Sequence, residues 1–326
     1  MSIEYSNYLP RDFPTVPPNQ GAPIPLLSLL SGTTTVIGAY STGRRLASAA
    51  TSPFTATNIS AVNYTALFTS MGALNTAGLL TFANNLSLGL TTWNDQSGSG
   101  NNLPLGTGNT SYPPLCGGGS LNLPITTTQG VMPLPSIGYN GTITGSRAPW
   151  FSLSPMITPF GAVAKFFSIA VFRPKSGQGS TVGRLTQYLA TGDVSAFTAT
   201  TSCILIARNG STTTGAMATG RNSTVPSGGT GPSNTPTMQG IVYDGTNATY
   251  YIDRTGQTPG AFTGNLGATG AFAIGDGTEF ITVATDNMAC DIAEVIIGTF
   301  TSSAATFAAG DWTVIQNNMR AFWNTP

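Results

Sequence analysis

The sequence predicts an all-β protein in which antiparallel strands form a β-sandwich. Hydrophobic residues make up 40% of the 326 residues, which is enough to fill a sizeable core. Short apolar segments recur along the chain, with turn signals such as Asn209-Gly210 and Asp244-Gly245 between them. Turns that recur about every ten residues between short strands are typical of sandwiches. We therefore expect one sandwich domain over residues 33–326.

Residues 1–32 are expected to form an extended arm ahead of that domain. Proline occurs there at six positions, namely Pro10, Pro14, Pro17, Pro18, Pro23 and Pro25. This density disfavours helices and central strands and favours a polyproline-like path. The apolar residues Tyr5, Tyr8, Phe13 and Val16 interrupt the segment and are predicted to anchor the arm on another surface. A disordered terminus is the alternative interpretation.

Strands are predicted at each apolar segment that follows the arm. The clearest buried strand is Phe166 to Phe172, where aromatic and aliphatic residues follow one another with little polar interruption. The other predicted strands are Val36 to Leu46, Trp150 to Leu153, Leu189 to Ala190, Cys203 to Ala207, Gly240 to Tyr243, Ala248 to Ile252, Ala271 to Ile274 and Ala293 to Ile297.

Two short helices accompany the strands. Residues 74–86 carry apolar side chains near helical spacing, with Asn75 or Thr76 available as the N-cap. Residues 311–323 also carry apolar side chains near helical spacing, with Asp311 as the predicted N-cap. The apolar face of the second helix is predicted to pack on the sandwich, and it contains Phe307, Trp312, Ile315, Met319 and Phe322.

The charge content restricts the function. Only 7% of the residues are charged, against about 25% in an ordinary soluble domain, and the net charge is zero. A basic face for nucleic acid is therefore not expected. There is no histidine, which excludes a histidine base for serine-type hydrolysis and a histidine ligand for zinc. A Ser, Thr, Asn and Gly surface suits a protein that packs against neighbours.

The cysteine spacing and the first residues of the chain indicate in which cellular compartment the protein is made. Cys116, Cys203 and Cys290 are widely separated, which leaves open either three buried thiols or one disulfide and one thiol. The first residues lack a basic region followed by an apolar stretch, so we expect synthesis in the host cytoplasm without a signal peptide. The apolar run around Gly161 to Phe172 is too short to cross a bilayer, and no membrane partner is expected.

One stretch is more specific than the strand pattern. It reads Trp93-Asn94-Asp95-Gln96-Ser97-Gly98-Ser99-Gly100-Asn101. Together with the segments Tyr243-Asp244-Gly245, Ile274-Gly275-Asp276 and Ile292 to Ile297, it resembles the concanavalin A-like jelly-roll superfamily. In particular, residues 36–323 resemble the catalytic-domain family of α-L-arabinofuranosidase B. The resemblance implies a jelly-roll sandwich of the kind that is also appended to phage and bacterial surface proteins.

The same stretch has a structural interpretation. Trp93 ends a strand, Asp95 can bond its own backbone two residues on, and Ser97 to Gly100 supply a tight turn that needs positive φ. We therefore expect a structural corner. The alternative is a carbohydrate-binding surface that contains Trp93 and Asp95, together with Trp150.

The resemblance implies two catalytic carboxylates, a nucleophile and an acid/base about 5 to 5.5 Å apart. The position implied for the nucleophile falls near Thr201 to Leu205, where no carboxylate stands. Asp276 can keep the implied acid/base position, and otherwise it is a turn residue. Glu294 is the other remaining candidate, and otherwise it is a strand residue that bonds a loop or an arginine. Asp286 and Asp291 are expected to be solvated loop groups.

These expectations favour a non-enzymatic structural protein of a virion, most plausibly a tailed-phage head decoration or fibre-like surface protein. Its expected partners are copies of itself and other virion proteins such as the capsid shell. One alternative is a carbohydrate-binding module for glycans, and another is an active arabinofuranosidase-like hydrolase. No cofactor is expected, although Asp95, Asp253 or Asp276 with nearby carbonyls can hold calcium.

Overall fold

The fold is an all-β antiparallel sandwich, as predicted. The computed structural model describes residues 24–57, 63–83, 88–105, 115–116, 136–140, 151–153, 165–174, 182–190, 203–209, 216–221, 227–230, 236–261, 270–274, 289–323 and 325. All strand pairings given below are antiparallel. No helix in this part of the chain is long and apolar enough to cross a membrane.

The strands of the described residues are numbered in chain order. They are β1 Thr34–Ser41, β2 Phe54–Thr57, β3 Asn63–Thr65, β4 Gly89–Trp93, β5 Leu103–Pro104, β6 Leu115–Cys116, β7 Ser136–Asn140, β8 Phe151–Leu153, β9 Phe166–Pro174, β10 Val182–Ala190, β11 Cys203–Asn209, β12 Ala216–Arg221, β13 Ser227–Thr230, β14 Thr237–Tyr243, β15 Asn247–Ile252, β16 Thr255–Gly256, β17 Gly260–Ala261, β18 Gly270–Ile274 and β19 Ala289–Phe300. The helices are α1 Thr76–Ala83, α2 Ala304–Phe307 and α3 Thr313–Trp323, and a 3-10 turn spans Leu26–Leu29.

Three sheets contain these strands. The largest has the order β16-β15-β14-β9-β19-β7-β6, with β1 also paired to β19 and β17 to β15. The second has the order β13-β12-β11-β10-β18-β8, and the third has the order β3-β2-β4-β5. The long strands β9 and β19 therefore lie in the middle of the first sheet.

The main core lies between the first and second sheets. Phe172 and Val295 of the first sheet belong to the same hydrophobic cluster as Tyr188, Leu205 and Phe272 of the second. These five side chains are fully buried. Burial of aromatic and aliphatic surface at this interface is the main force that holds a sandwich together.

The opposite face of the first sheet is covered by the C-terminal helices. Phe167 and Ile169 of β9 form a second cluster with Phe307, Trp312 and Ile315. Because both faces of β9 are covered, all nine of its residues are buried. Double coverage explains why the sequence of this strand shows no apolar-polar alternation, and it confirms the prediction that the terminal helix packs on the sandwich.

The C-terminal helical segment begins earlier than predicted. It starts at Ala304, where the Ser303 hydroxyl accepts a hydrogen bond from the Thr306 amide at 3.1 Å. A wider π-type turn at Ala308–Trp312, with Gly310 outside helical geometry, then leads into α3. The predicted capping role of Asp311 is not observed, because its carboxylate instead accepts bonds from the amide and hydroxyl of Ser31 at 3.0 and 2.6 Å.

The helix predicted at residues 74–86 is present as α1, Thr76–Ala83. Asn75 is its N-cap, since its side-chain oxygen accepts a hydrogen bond from the Gly78 amide at 3.1 Å. Of the third sheet, only the strand that ends at Trp93 was predicted, and it is present as β4. The remaining strands are short, and Phe54–Thr57 and Asn63–Thr65 contain threonine, so they lack the apolar signal on which the other strand predictions depend.

The chain already belongs to the folded domain before residue 33. Leu26 is buried in the cluster beneath the terminal helices, and the Leu27 amide donates to the Leu46 carbonyl at 3.0 Å. The last residues of the predicted arm therefore pack on the sandwich. The anchoring residues Tyr5, Tyr8, Phe13 and Val16 lie outside the described residues.

Candidate functional site

Glu294, one of the two catalytic candidates, lies on β19 and is fully buried beneath α3. Arg44 donates from Nε to Oε2 at 2.9 Å and from Nη2 to Oε1 at 2.7 Å. The Ser41 hydroxyl and the Trp323 indole N–H also donate to Oε2, at 2.9 and 2.8 Å. Both carboxylate oxygens therefore have charged or neutral donors from this chain.

Local structure explains why these groups meet. Ser41 ends β1 directly opposite Glu294 in the ladder, and Arg44 follows three residues later as the chain leaves the sheet. Trp323 is the last residue of α3. Arg44 is held further by a hydrogen bond to Asn318 and by the Phe322 ring, whose centroid lies 4.6 Å from the guanidinium carbon.

This arrangement gives Glu294 a structural task. The two parallel donors of Arg44 form the bidentate geometry that makes arginine–carboxylate pairs strong and directional. The carboxylate joins β1, β19 and α3 at one buried point, and it has no exposed surface at which a substrate could meet it. The sequence-based interpretation of Glu294 as a strand residue that bonds an arginine is the one that the structure supports.

A second buried ion pair lies on the same strand. Asp291 of β19 accepts from Arg173 of β9, through Nε at 3.1 Å and through Nη2. The two residues are neighbours in the ladder, and both are almost completely buried. The prediction that Asp291 is a solvated loop group is wrong, because β19 begins at Ala289 and carries Asp291 into the sheet.

Asp95 organises the corner that the sequence predicted. Its Oδ1 accepts from the amides of Ala39 and Ser97 at 3.0 and 2.8 Å. Its Oδ2 accepts from the Ser97 hydroxyl at 2.8 Å and from the Asn101 amide at 3.1 Å. Gly98 has a φ of 87°, which a residue with a side chain rarely adopts. The carboxylate therefore holds the turn together and ties it to β1.

Two further side chains of the corner have roles that the sequence analysis did not assign. Gln96 accepts from the Leu46 amide at 2.7 Å and donates to the Arg44 carbonyl at 3.2 Å. Asn101 donates to the Ile37 carbonyl at 2.7 Å, and both polar side chains are buried. Their positions in a turn-rich run of polar residues gave no signal of burial. Through them the corner is bonded to β1 at Ile37 and to the segment that follows β1.

Tyr40 connects the corner to the main core. Its hydroxyl donates to the Asn101 carbonyl at 2.7 Å, and its ring lies 5.7 Å from the Trp93 ring. Burial raises the pKa of Tyr40 well above its ordinary value, and the negative charge of Asp95 raises it further. The phenol is therefore neutral throughout the physiological pH range.

The predicted carbohydrate-binding residues do not form a sugar platform where the structure describes them. The Trp93 side chain is fully buried, so its ring has no face for a sugar, and that prediction is corrected. Asp95 is part-buried and already accepts four hydrogen bonds. Trp150 and the second catalytic candidate, Asp276, lie outside the described residues.

The other described carboxylates also bond their own chain. Asp244 accepts from the Thr246 and Asn247 amides at 2.8 and 2.7 Å. Asp253 accepts from the Thr237 hydroxyl at 2.9 Å and from the Met238 amide at 2.8 Å.

Burial raises the pKa of Asp253, although these hydrogen bonds oppose it. At Asp311 burial also acts to raise the pKa, but the hydrogen bonds from Ser31 outweigh it and hold the pKa below its ordinary value. In the residues whose placement is described, no three His, Cys, Asp or Glu side chains form a metal-binding group. Asp95 and Asp253, two of the calcium candidates, thus serve local backbone structure, and Asp276 is undescribed.

Comparisons with known proteins agree with this architecture. No protein-family model matches the sequence, and a comparison with curated proteins finds no match either. Among solved structures, the chain is similar to an α-L-arabinofuranosidase of glycoside hydrolase family 54 soaked with a cyclic sulfate inhibitor. The identity is 17%, the TM-score is 0.52, and the match covers 87% of this chain and 63% of that one.

A second similar structure is an arabinofuranosidase complexed with arabinofuranosyl-α-1,2-xylobiose, at 16% identity and a TM-score of 0.52. That match also covers 87% of this chain and 63% of the enzyme, so the chain spans less than two thirds of the length of these proteins. At this identity the likeness concerns the fold. The protein is an antiparallel β-sandwich whose fold is similar to that of these arabinofuranosidases.

Proposed function

We propose that the chain is a non-enzymatic structural protein that packs against its neighbours in a virion, as a tailed-phage head decoration or fibre-like surface protein. The observation that supports the non-enzymatic part is how the carboxylates in the described part of the chain are bonded. Asp95, Asp244, Asp253, Asp291, Glu294 and Asp311 all accept hydrogen bonds from their own chain. A double-displacement glycosidase needs two carboxylates that face a substrate.

The charge distribution supports a packing role. Only 7% of the residues are charged, and two of the arginines are already paired with buried carboxylates. Removing water from a neutral polar surface costs less than removing it from unpaired charges. Copies of this chain and other virion proteins such as the capsid shell are the proposed partners, at the surface of the particle.

The proline-rich arm is the proposed point of attachment. Residues 1–23 precede the first described residue, Ile24, and carry Tyr5, Tyr8, Phe13 and Val16. An extended chain of that length spans up to about 75 Å. That reach is sufficient to place aromatic anchors on an adjacent subunit.

The test compares the full chain with a variant that lacks residues 1–23 and so keeps the buried Leu26. We expect the full chain to form symmetric oligomers in sedimentation velocity and to be incorporated into particles seen by electron microscopy of the native source. The shortened variant should remain folded and monomeric. A full chain that stays monomeric, or an arm that is dispensable for incorporation, contradicts the proposal.

Carbohydrate binding is the second candidate, and one observation favours it. A structure that shares this fold holds an arabinofuranosyl-xylobiose ligand. Calorimetric titration with arabinan, xylan and cell-surface polysaccharides tests this candidate. Binding that is lost in Trp150→Ala would support it, and no heat with any of these glycans would exclude the tested classes.

Enzymatic activity is tested separately with 4-nitrophenyl α-L-arabinofuranoside. We expect no nitrophenol release above the uncatalysed rate. Release that disappears in Asp276→Asn, while the variant melts at the same temperature as the parent, would show that a catalytic pair exists and would overturn the non-enzymatic assignment.

A further inference from the structure

The large hydrophobic side chains that are exposed among the described residues fall on two neighbouring segments. Ile24 and Leu29, exposed by 66% and 43%, belong to the 3-10 turn and the residues before it. Leu67 and Met71, exposed by 48% and 42%, belong to a hairpin loop ahead of α1. Exposed apolar side chains that cluster in this way mark interaction sites more often than single ones do.

Arg45 and Leu46, which are consecutive in the chain, connect the 3-10 turn to the hairpin loop. The Leu27 amide donates to the Leu46 carbonyl at 3.0 Å, which attaches the turn on one side. The Arg45 amide donates to the Gly72 carbonyl at 2.7 Å, which attaches the hairpin on the other. We call the region formed by Ile24, Leu29, Arg45, Leu67, Phe68 and Met71 the Arg45 surface.

Arg45 adds a positive charge that has no ion-pair partner among the described residues. Its guanidinium carbon lies 5.4 Å from the centroid of the Phe68 ring, and its Nε is buried without a hydrogen-bond partner in that part of the chain. The two ion pairs found among the described residues use Arg44 and Arg173 instead. Arg45 is half-buried, so part of the side chain can still be reached, and a carboxylate is the group that best satisfies an arginine.

The complementary ligand is therefore an extended segment with a carboxylate between apolar side chains. The chain carries such a segment at Ile3-Glu4-Tyr5. The other acidic residue of the arm, Asp12, follows Arg11 directly, so that dipeptide carries no net charge. Ile3 and Tyr5 match the apolar side chains of the Arg45 surface, and Glu4 matches the guanidinium.

We propose that Ile3-Glu4-Tyr5 of one copy docks on the Arg45 surface of a second copy, with Glu4 paired to Arg45. The inference rests on the proposed assembly through the arm and names the surface that receives it. Nineteen residues lie between Glu4 and Ile24, and a polyproline path of that length spans about 60 Å. The prolines between them favour a path that leads away from its own subunit over a tight return.

The test is a charge exchange in the full chain, read by sedimentation equilibrium. Glu4→Arg alone and Arg45→Glu alone should each weaken self-association by about tenfold or more, because like charges then meet at the interface. An equal mixture of the two variants should associate again, since the arm of one variant then meets the surface of the other. Met71→Ser, at the hairpin, should weaken association without a charge change.

The control is Arg254→Glu, which reverses an exposed arginine on a different hairpin and should leave association unchanged. Thermal melting shows whether each variant is folded. If Arg45→Glu is unfolded, Met71→Ser provides the test of the Arg45 surface. Single variants that associate like the parent, or a mixture that does not recover, overturn the docking pair while the assembly proposal stands. The double variant Glu4→Arg with Arg45→Glu in one chain is compared with the mixture. If the double variant recovers association and the mixture does not, the arm docks on its own subunit, and this outcome also overturns the proposed docking between copies. A parent chain that is monomeric contradicts both proposals.

Discussion

Trp323 donates its indole N–H to the Glu294 carboxylate at 2.8 Å, which joins the last turn of α3 to the central strand β19. Arg44 and Ser41 donate to the same carboxylate from the end of β1. One buried side chain thus joins β1 to β19 and α3, which lie about 250 residues later in the sequence.

Arg44→Met should lower the free energy of unfolding by roughly 3 to 5 kcal/mol, because it leaves the Glu294 carboxylate buried without its cation. The double variant Arg44→Met with Glu294→Met should recover most of that loss, since no charge is then left in the interior. Urea denaturation of the single and double variants measures both values.

Arg254→Met is the control for the Arg44 and Glu294 variants. Arg254 is exposed, and its side chain makes one hydrogen bond to Asn317, so its loss should cost less than about 1 kcal/mol. If Arg44→Met with Glu294→Met is less stable than Arg44→Met alone, the Glu294 carboxylate stabilises the fold even without its arginine, which contradicts the prediction.

Trp323→Phe and Trp312→Phe separate the indole hydrogen bond from packing. Both indoles are buried, but the Nε1 of Trp312 has no hydrogen-bond partner within the described part of the chain. Trp323→Phe should cost about 1 to 3 kcal/mol more than Trp312→Phe, because it leaves Glu294 with one donor fewer. Equal losses in denaturant titrations would show that only ring volume matters.

Gly240→Ala should destabilise the protein by about 1 to 3 kcal/mol. A Cβ at this position would lie 2.6 Å from the Trp312 ring and 2.8 Å from the Ser168 carbonyl oxygen, and the backbone atom cannot move away cheaply. Gly260→Ala, in the short strand β17, is the matched control, since nothing lies within 4 Å of its Cβ. The two melting temperatures should therefore diverge, and similar values would contradict the close contact between β14 and the helix layer.

Asp253→Asn should stabilise the protein at pH 7 by about 0.5 kcal/mol. Burial raises the pKa of Asp253 in the folded state, so the ionised carboxylate opposes folding at pH values above the folded pKa. That cost disappears as the pH falls through the folded pKa, and the advantage of the variant should shrink in acid. Asparagine also tolerates the positive φ of 44° at this position. Urea titrations at pH 7 and pH 3 measure the difference, and an advantage that grows in acid would contradict the direction of the shift.

The sequence analysis succeeded where burial follows directly from residue type. The run Phe166 to Phe172 is too apolar to be exposed on either side, and it is the doubly covered strand β9. The apolar spacing of Trp312, Ile315 and Met319 likewise predicted the helix face that packs on the sheet. Both signals are local, since they depend on periodicity within one segment.

It failed where a polar group is placed by distant partners. Asp311 has the position of a helix cap, yet it bonds Ser31, 280 residues away in the sequence. Trp93 was a candidate for sugar binding, yet its side chain is buried in the core. Asp291 was expected in a solvated loop, yet it is buried and paired with Arg173.

The sequence by itself determined the all-β class, most of the long strands and both helices, together with a surface poor in charge and free of histidine. Only the tertiary structure decided that Glu294 is a structural anchor, that Asp95 holds a corner and that Arg45 has no ion-pair partner in the described part of the chain. The physical reason is that hydrophobic periodicity is a property of one segment. The role of a charged side chain depends instead on which donors the fold brings within hydrogen-bond distance, and on whether water can still reach it.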